Sequence, residues 1–208
     1  MQAIEPLQYG HTYHIYNRGI NGADLFTHEA NYKRFLALYE RYIRPIADTY
    51  AWVLLRNHFH LLVRIKEEAE IPYMKRNLSE QKEATSLEKK LVPLSQFSHI
   101  FNSYAQYFNK LNGRHGGLFE TSFRRIRVET GKYFRQMVFY IHHNPVKHGF
   151  VKHISDWGWS SYLTIISEKP THLSRETVLE YFDDVANFKA WHQQEHDLKD
   201  VGNLLLEV

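Results

Sequence analysis

The stretch Asn57–Leu62, which reads Asn-His-Phe-His-Leu-Leu, constrains the fold more than any other part of this sequence. It lies within residues 51–65, a run rich in Val, Leu, Ile and Trp that is typical of a β-strand. Because alternate side chains of a strand share a face, we expect His58 and His60 to point the same way, with Phe59 on the other side. The pattern therefore predicts two imidazoles on the non-core face of a sheet.

Two imidazoles side by side, backed by an apolar layer, form a rigid pair of ligands for a metal ion. The alternative is that His58 and His60 are simply exposed histidines on a half-buried sheet, and an HxH pair alone does not decide between the two. The chain contains no cysteine, so a metal site would use imidazole, carboxylate or amide groups.

The composition is that of a globular protein with a substantial core. The 208 residues are 43% hydrophobic and 24% charged, which suits one domain with an appendage. The lack of cysteine, of a signal peptide and of a membrane-spanning apolar run leads us to expect a cytoplasmic protein that does not associate with membranes. A formal charge of +3 is too small to indicate nucleic-acid binding by itself.

The apolar periodicity predicts helices and strands in alternation. A first strand is expected over Gly10–Arg18 and a helix over Asn31–Ile46. Two strands, residues 48–56 and 58–66, should form a hairpin. Residues 67–93 are strongly charged and are interpreted as part solvated helix and part loop. A second helix is expected over Ser95–Asn112, and a strand within Gly116–Glu129.

Three arginines lie in that last predicted strand. Arg124, Arg125 and Arg127 are consistent with phosphate binding, but equally with a solvated sheet edge, and the sequence leaves both interpretations open.

A helix is predicted from Thr130, a favourable N-cap, to Asn144, where Pro145 should end it. Tyr140 and Asn144 are four residues apart, so a phenol and an amide would lie one above the other at the helix terminus. With fourteen tyrosines in the chain, any single one is expected to be structural unless its partners distinguish it. Tyr133 is the next candidate on this helix.

The C-terminal residues are predicted to form a small extension. Short helices are expected over Arg175–Phe182 and Val185–Glu195, and the segment is too small to have an independent core. We therefore divide the chain into a main domain, residues 1–165, and a helical extension, residues 166–208.

Four motifs follow one another in an order and spacing that resemble those of the Y1-type HUH transposases, particularly the REP-associated tyrosine transposases. They are NHFHLLV, GLFETSFRR, YIHHNPVKHGFV and SDWGWSSY. The resemblance covers roughly residues 10–162. The charged segment around residues 67–90 is longer than in compact members of the family.

The resemblance implies an α+β fold, in which a ferredoxin-like antiparallel sheet has its helices packed on one face. It implies that His58 and His60 bind a divalent metal ion, Mg²⁺ or Mn²⁺, on a central strand, with Asn144 able to complete the site. It also implies that Tyr140 is the nucleophile. The activity would be that of a metal-dependent single-strand DNA endonuclease and strand transferase, which cuts and rejoins DNA beside hairpins through a 5′-phosphotyrosine intermediate.

The expected partner is single-stranded DNA containing a hairpin, and the sequence does not decide between a monomer and a homodimer. Six cationic side chains are expected to contact the DNA: Arg18, Arg56, Arg124, Arg125, Arg127 and Lys147. Two alternatives stay open. One is a hairpin-binding protein of the same fold that no longer cleaves DNA. The other is a metal-dependent hydrolase that uses water, in which Tyr140 only packs.

Overall fold

A computed structural model of the chain describes residues 6–75, 88–120, 123–194 and 196. Its larger elements, in chain order, are β1 (Thr12–Arg18), α1 (Glu29–Tyr42), β2 (Ala47–Leu54), β3 (His58–Ile65), β4 (Tyr73–Lys75), β5 (Glu88–Lys90), α2 (Pro93–Leu111), β6 (Arg124–Arg127), α3 (Gly131–Lys147), α4 (Tyr162–Ile165), α5 (Arg175–Glu180) and α6 (Val185–His192). No described helix combines the length and apolarity needed to cross a membrane.

The central sheet has four antiparallel strands in the order β2-β3-β1-β6. Helix α1 connects β1 to β2, the predicted hairpin joins β2 to β3, and α2 precedes β6. This β-α-β-β-α-β arrangement is ferredoxin-like. The predicted fold class, α+β with an antiparallel ferredoxin-like sheet, is confirmed.

Helices α1 and α2 pack on one face of the sheet, as predicted. The alternation of β3 directs Phe59, Leu61, Val63 and Ile65 to that face, where they form a core with the apolar stripes of both helices. The stripes include Phe35 of α1 and the α2 residues Phe97, Ile100 and Tyr104, all fully buried.

The opposite face is also covered, which the prediction of helices on one face did not include. Helix α3 lies there and forms a second core with Ala51, Val53 and Leu62. His58 and His60 face this core and are only 3% and 0% exposed. Their predicted position on a non-core face is therefore wrong, because α3 covers them.

Helix α3 begins as predicted, since the Thr130 hydroxyl accepts a hydrogen bond from the Tyr133 N–H at 3.2 Å. It does not end at Asn144, because Pro145 is accommodated and the helix continues to Lys147. Pro145 removes one backbone donor, but the next turn is still closed by the His148 N–H, which donates to the Asn144 carbonyl at 3.0 Å.

The DWGWSSY segment covers the outer edge of β2. The Trp52 N–H donates to the Ser161 hydroxyl oxygen and the Leu54 N–H donates to the Trp159 carbonyl, both at 2.9 Å. Edge strands expose unpaired backbone groups, and this segment satisfies those of Trp52 and Leu54 in β2.

The predicted C-terminal extension packs against the second core, in which Val178, Phe182 and Phe188 are buried. Helices α5 and α6 end at Glu180 and His192, slightly before the predicted ends. Within residues 67–93, the described residues form a 3-10 turn and the paired strands β4 and β5; the rest of the predicted helix and loop falls on residues 76–87, which lie outside the described residues. The strand expected within Gly116–Glu129 is reduced to Arg124–Arg127.

Candidate functional site

The candidate site lies where β1 and β3 run side by side beneath α3. The antiparallel register pairs Tyr16 with His60 and Arg18 with His58. Because alternate residues share a face, His14, Tyr16 and Arg18 of β1 lie on the same side of the sheet as both histidines of β3. The sheet thus presents three imidazoles and a phenol to the helix.

Helix α3 places further polar side chains over this surface. Tyr140, Asn144 and His148 are spaced four residues apart and so follow one face of the helix and its C-terminal cap. The Tyr140 ring meets the His60 ring edge-on, with centroids 5.4 Å apart and an angle of 82°. The His148 ring lies 4.9 Å from that of His58. The structure therefore brings together the predicted nucleophile and all three predicted metal ligands.

Each predicted ligand uses one polar atom in an internal hydrogen bond. His58 Nδ1 lies 2.8 Å from the Asn57 side-chain oxygen, and His60 Nδ1 lies 2.9 Å from His14 Nε2. The Asn144 amide nitrogen donates to the Tyr140 carbonyl at 2.8 Å.

The remaining polar atoms of these ligands have no partner. His58 Nε2, His60 Nε2, Asn144 Oδ1 and also His14 Nδ1 are buried without a hydrogen bond. Four of the nine such side-chain atoms among the described residues thus lie in this one cluster. Buried polar groups without partners are costly, so their concentration points to a ligand-binding site.

This donor set fits a divalent metal ion. Two imidazole nitrogens and an amide oxygen suit Mn²⁺ well and Mg²⁺ acceptably. Burial, helped by the positive charges of nearby Arg18 and Lys147, lowers the pKa of His58 to about 3, and burial lowers the pKa of His60 well below its ordinary value. Both imidazoles are therefore neutral, the form that binds metal. No three His, Cys, Asp or Glu side chains of the described residues form a metal-binding group, so the set depends on the Asn144 amide.

Tyr140 is only 7% exposed, and its burial raises the pKa of the phenol to about 12. A hydrogen bond with the Asn144 side chain lowers the pKa of Tyr140 in part. The ammonium group of Lys147 lies 5.5 Å from the centre of the Tyr140 ring. The phenol is thus held beside an amide and a cation, but it needs further stabilisation to ionise near neutral pH.

The predicted DNA-contacting cations divide into two groups. Arg18, which is paired with Glu120, and Lys147 lie close enough to His58 to lower its pKa, and Arg124 lies opposite Tyr16 on the same face of the sheet. The structure does not bring the other three to this site: Arg125 and Arg127 point to the α1–α2 side, and Arg56 pairs with Asp24 at 2.8 Å.

Three residues of the site had not been identified from the sequence. His14 and Tyr16 follow from the alternation of β1, which places them on the same face as Arg18. His148 follows from the four-residue spacing that starts at Tyr140. His14 and Tyr16 lie outside the quoted motifs, whereas His148 lies within YIHHNPVKHGFV but has no assigned role there.

The fold and the site together define a ferredoxin-like α+β protein with a buried His-His-Asn-Tyr cluster between sheet and helix. No known protein-family profile matches the chain. A Haemophilus influenzae protein named as a REP-associated tyrosine transposase is 28% identical over 120 residues, 55% of this chain. The match covers 58% of that relative, so the chain spans less than two thirds of its length.

A solved structure shares the fold of this chain. It is described as a REP-associated tyrosine transposase bound to a REP hairpin, and it superposes with a TM-score of 0.56 at 19% identity. The superposition covers 82% of this chain and 88% of that one, which establishes a shared fold. The chain is thus similar to the REP-associated tyrosine transposases in sequence and in fold, which confirms the resemblance that its motifs indicated.

Proposed function

We propose that this chain is a metal-dependent single-strand DNA endonuclease and strand transferase that cuts and rejoins DNA beside hairpins. The observation that carries the proposal is that three ligand atoms, His58 Nε2, His60 Nε2 and Asn144 Oδ1, are buried without a hydrogen-bond partner, while the His60 ring contacts the rings of both His58 and Tyr140. The similarity to a named transposase, and to a solved relative described as bound to a REP hairpin, supports hairpin DNA as the partner.

His58, His60 and Asn144 would hold Mg²⁺ or Mn²⁺. When bound, the ion would supply positive charge that polarises the scissile phosphate and favours ionisation of a nearby phenol. The Asn57 and His14 side chains hold the Nδ1 atoms of the two histidine ligands, which leaves the Nε2 atoms for this role.

Tyr140 would form the covalent link. Its phenolic oxygen attacks the phosphorus as the phenol proton is lost, and the bond from phosphorus to the 3′-oxygen breaks. The leaving oxygen takes up a proton, which yields a 5′-phosphotyrosine and a free 3′-hydroxyl. Reversal with another 3′-hydroxyl rejoins the strand. Because the phosphodiester energy is retained in the tyrosine link, no nucleotide cofactor is required.

Cationic side chains at the rim would hold the DNA backbone. Arg18, Lys147 and Arg124 lie on the site face, where they can bind phosphates on either side of the scissile bond.

A hairpin-binding protein that no longer cleaves DNA is the second candidate. The burial of Tyr140 favours it, since DNA must displace covering side chains to reach the hydroxyl. A hydrolase that uses water would also leave Tyr140 without a covalent role.

A covalent protein–DNA adduct distinguishes all three. The protein is incubated with Mn²⁺ and labelled single-stranded DNA that carries a hairpin, then analysed on a denaturing gel. We expect a shifted band with the wild type and none with Tyr140→Phe, which retains the ring and removes only the hydroxyl.

The control is Tyr133→Phe, two turns earlier on α3, since the hydroxyl oxygen of Tyr133 is also buried and the pKa of this tyrosine is raised to about 12. That variant should form the adduct normally. An adduct with Tyr140→Phe would place the nucleophile elsewhere, and cleavage without any adduct would support the hydrolase.

A further inference from the structure

His14 is the one histidine of the site that neither the motifs nor the proposed metal set includes. It is fully buried, and its Nε2 lies 2.9 Å from Nδ1 of His60. The two ring planes are within 15° of each other, with centroids 5.1 Å apart. This is the geometry of a hydrogen bond almost in the plane of both rings, in which the lone pair of one nitrogen points at the hydrogen of the other.

This hydrogen bond can run in two directions, because each neutral imidazole carries one N–H and one bare nitrogen. If His60 Nδ1 donates, His60 Nε2 is bare and His14 carries its hydrogen on Nδ1. If His14 Nε2 donates, His60 carries its hydrogen on Nε2 and cannot use that atom as a ligand. The direction of one hydrogen bond therefore decides whether His60 can bind metal.

His58 differs in this respect. Its Nδ1 lies 2.8 Å from the Asn57 side-chain oxygen, which can only accept, so His58 donates from Nδ1 and Nε2 is bare. His60 has no such one-directional partner. In either direction two buried atoms of the His14–His60 pair stay unpartnered without a metal, namely His14 Nδ1 and His60 Nε2. A cation on His60 Nε2 leaves only one, so it favours donation from His60 to His14.

We propose that His14 is a positioning residue, which accepts a hydrogen bond from His60 Nδ1 and so holds the His60 ring and tautomer with Nε2 directed at the metal. The proposal rests on the proposed function, because it assumes a metal ion on His60. Outer partners of this kind commonly change metal affinity by about 10–100-fold when they are removed.

The first test reads the tautomers directly in the wild type. The full chain with ¹⁵N-labelled histidine is titrated with Mg²⁺, and long-range ¹H–¹⁵N spectra identify which ring nitrogen carries the hydrogen. We expect His60 to carry it on Nδ1 and His14 on Nδ1 at saturation. A hydrogen on His14 Nε2 in the metal-bound protein would overturn the proposal.

The second test measures Mn²⁺ binding by electron paramagnetic resonance, without reference to activity. His14→Phe retains a planar ring but cannot accept a hydrogen bond, and should bind Mn²⁺ about 10–100-fold more weakly. His14→Gln places an amide oxygen near the position of Nε2 and should lose less affinity than His14→Phe.

Tyr50→Phe is the matched control, since Tyr50 is buried on the same side of the sheet but packs against Phe134 of α3. It should bind Mn²⁺ like the wild type. If a folded His14→Phe variant bound Mn²⁺ with wild-type affinity, the positioning role of His14 would be refuted and the proposed function would not be affected. If the wild type itself bound neither Mg²⁺ nor Mn²⁺, the proposed function would fail instead. If His14→Phe does not fold, the His14→Gln variant and the wild-type spectra decide.

Discussion

Two groups of buried histidines lie on the α3 side of the sheet, and they differ in how their nitrogens are used. The first group, His14, His58 and His60, leaves three ring nitrogens without a partner. In the second group, His142 and His192, all four nitrogens are hydrogen-bonded. Burial lowers the pKa of every member of both groups, so burial and a low pKa do not distinguish them.

The hydrogen bonds of the second group can run in only one direction. The Phe188 carbonyl can only accept, so His192 donates to it from Nδ1 at 2.8 Å. His192 Nε2 must then accept from His142 Nδ1 at 3.0 Å, and His142 Nε2 accepts from the Ser161 hydroxyl at 2.8 Å. This series of hydrogen bonds links α6 to α3, and it leaves no ring nitrogen of His142 or His192 free to bind a ligand. The comparison teaches that unsatisfied nitrogens, and not buried histidines as such, mark the candidate site.

The largest expected effect concerns the first group. His58→Ala or His60→Ala should abolish the protein–DNA adduct, because either change removes a proposed metal ligand. Chelation of divalent ions with EDTA should have the same effect on the wild type. The adduct assay on a denaturing gel provides the measurement, with Tyr133→Phe as the active control. Full adduct yield in EDTA, or in either variant, would remove the metal from the proposal.

Acidification should destabilise the fold through both groups. The pKa values of His14, His58 and His192 are lowered from about 6.5 to about 3, so below pH 6.5 the unfolded chain binds more protons than the folded one. Stability is therefore present above pH 6.5 and lost as the pH falls towards 3. Together these three histidines should reduce the free energy of unfolding by about 4 kcal/mol per pH unit well below pH 6.5.

Urea unfolding at a series of pH values between 7.5 and 5 checks this expectation. A free energy of unfolding that stays constant over this range would show that the histidines are not held neutral in the folded protein.

A substitution in the second group should affect stability without affecting metal binding. His142→Phe leaves His192 Nε2 without a partner and removes the hydrogen bond between the Ser161 hydroxyl and His142, which should lower the free energy of unfolding by about 2–4 kcal/mol. Mn²⁺ affinity should remain that of the wild type. Urea unfolding and Mn²⁺ titration measure the two quantities on the same variant.

The exposed His172, which pairs with Glu40, is the control for that variant, and His172→Gln should change stability by less than about 0.5 kcal/mol. A weakened Mn²⁺ affinity in folded His142→Phe would mean that the two histidine groups are not independent.

The smallest expected effect distinguishes the arginines of β6. Arg124 is exposed on the site face, whereas Arg127 bonds Glu129 and Gln8 on the other side of the sheet. Arg124→Gln should weaken hairpin DNA binding and reduce its salt dependence by about one phosphate contact. Arg127→Gln should leave both nearly unchanged. Fluorescence anisotropy at several salt concentrations measures the DNA affinity and its salt dependence. Equal losses of affinity in the two variants would contradict the assignment of Arg124 and Arg127 to opposite faces of the sheet.

Much of the fold could be predicted from the sequence because its signals are local. The apolar stripes of α1 and α2 and the hairpin of β2 and β3 depend on residue spacing, and these elements are present close to the predicted bounds. The face of the sheet that α3 covers could not be predicted. The apolar stripe of α3 indicates that the helix is packed against something, but it does not identify the surface. The predicted position of His58 and His60 on a non-core face failed for the same reason: alternation places them opposite Phe59, and only tertiary packing decides what lies above them.

The site itself could be predicted only in part. Residue spacing in the sequence identified His58, His60, Tyr140 and Asn144, and the structure places these four residues together. His14 lies 46 residues before His60 in the chain, and its contact depends on the register of β1 with β3. The arginines of β6 show the converse: their closeness in the sequence suggests one cluster, but simple alternation separates Arg124 from Arg125 and Arg127.

The two margins of the sheet are protected by different means, and this bears on solubility. The β2 margin is closed by the backbone of Trp159 and the side chain of Ser161. At the β6 margin no described strand pairs with the outer side, but β6 has only four residues, and three of them are arginines. Joining two such margins would bring six guanidinium groups together. The sheet is therefore a poor template for adding further strands, and the protein should resist fibrillar aggregation through its edges.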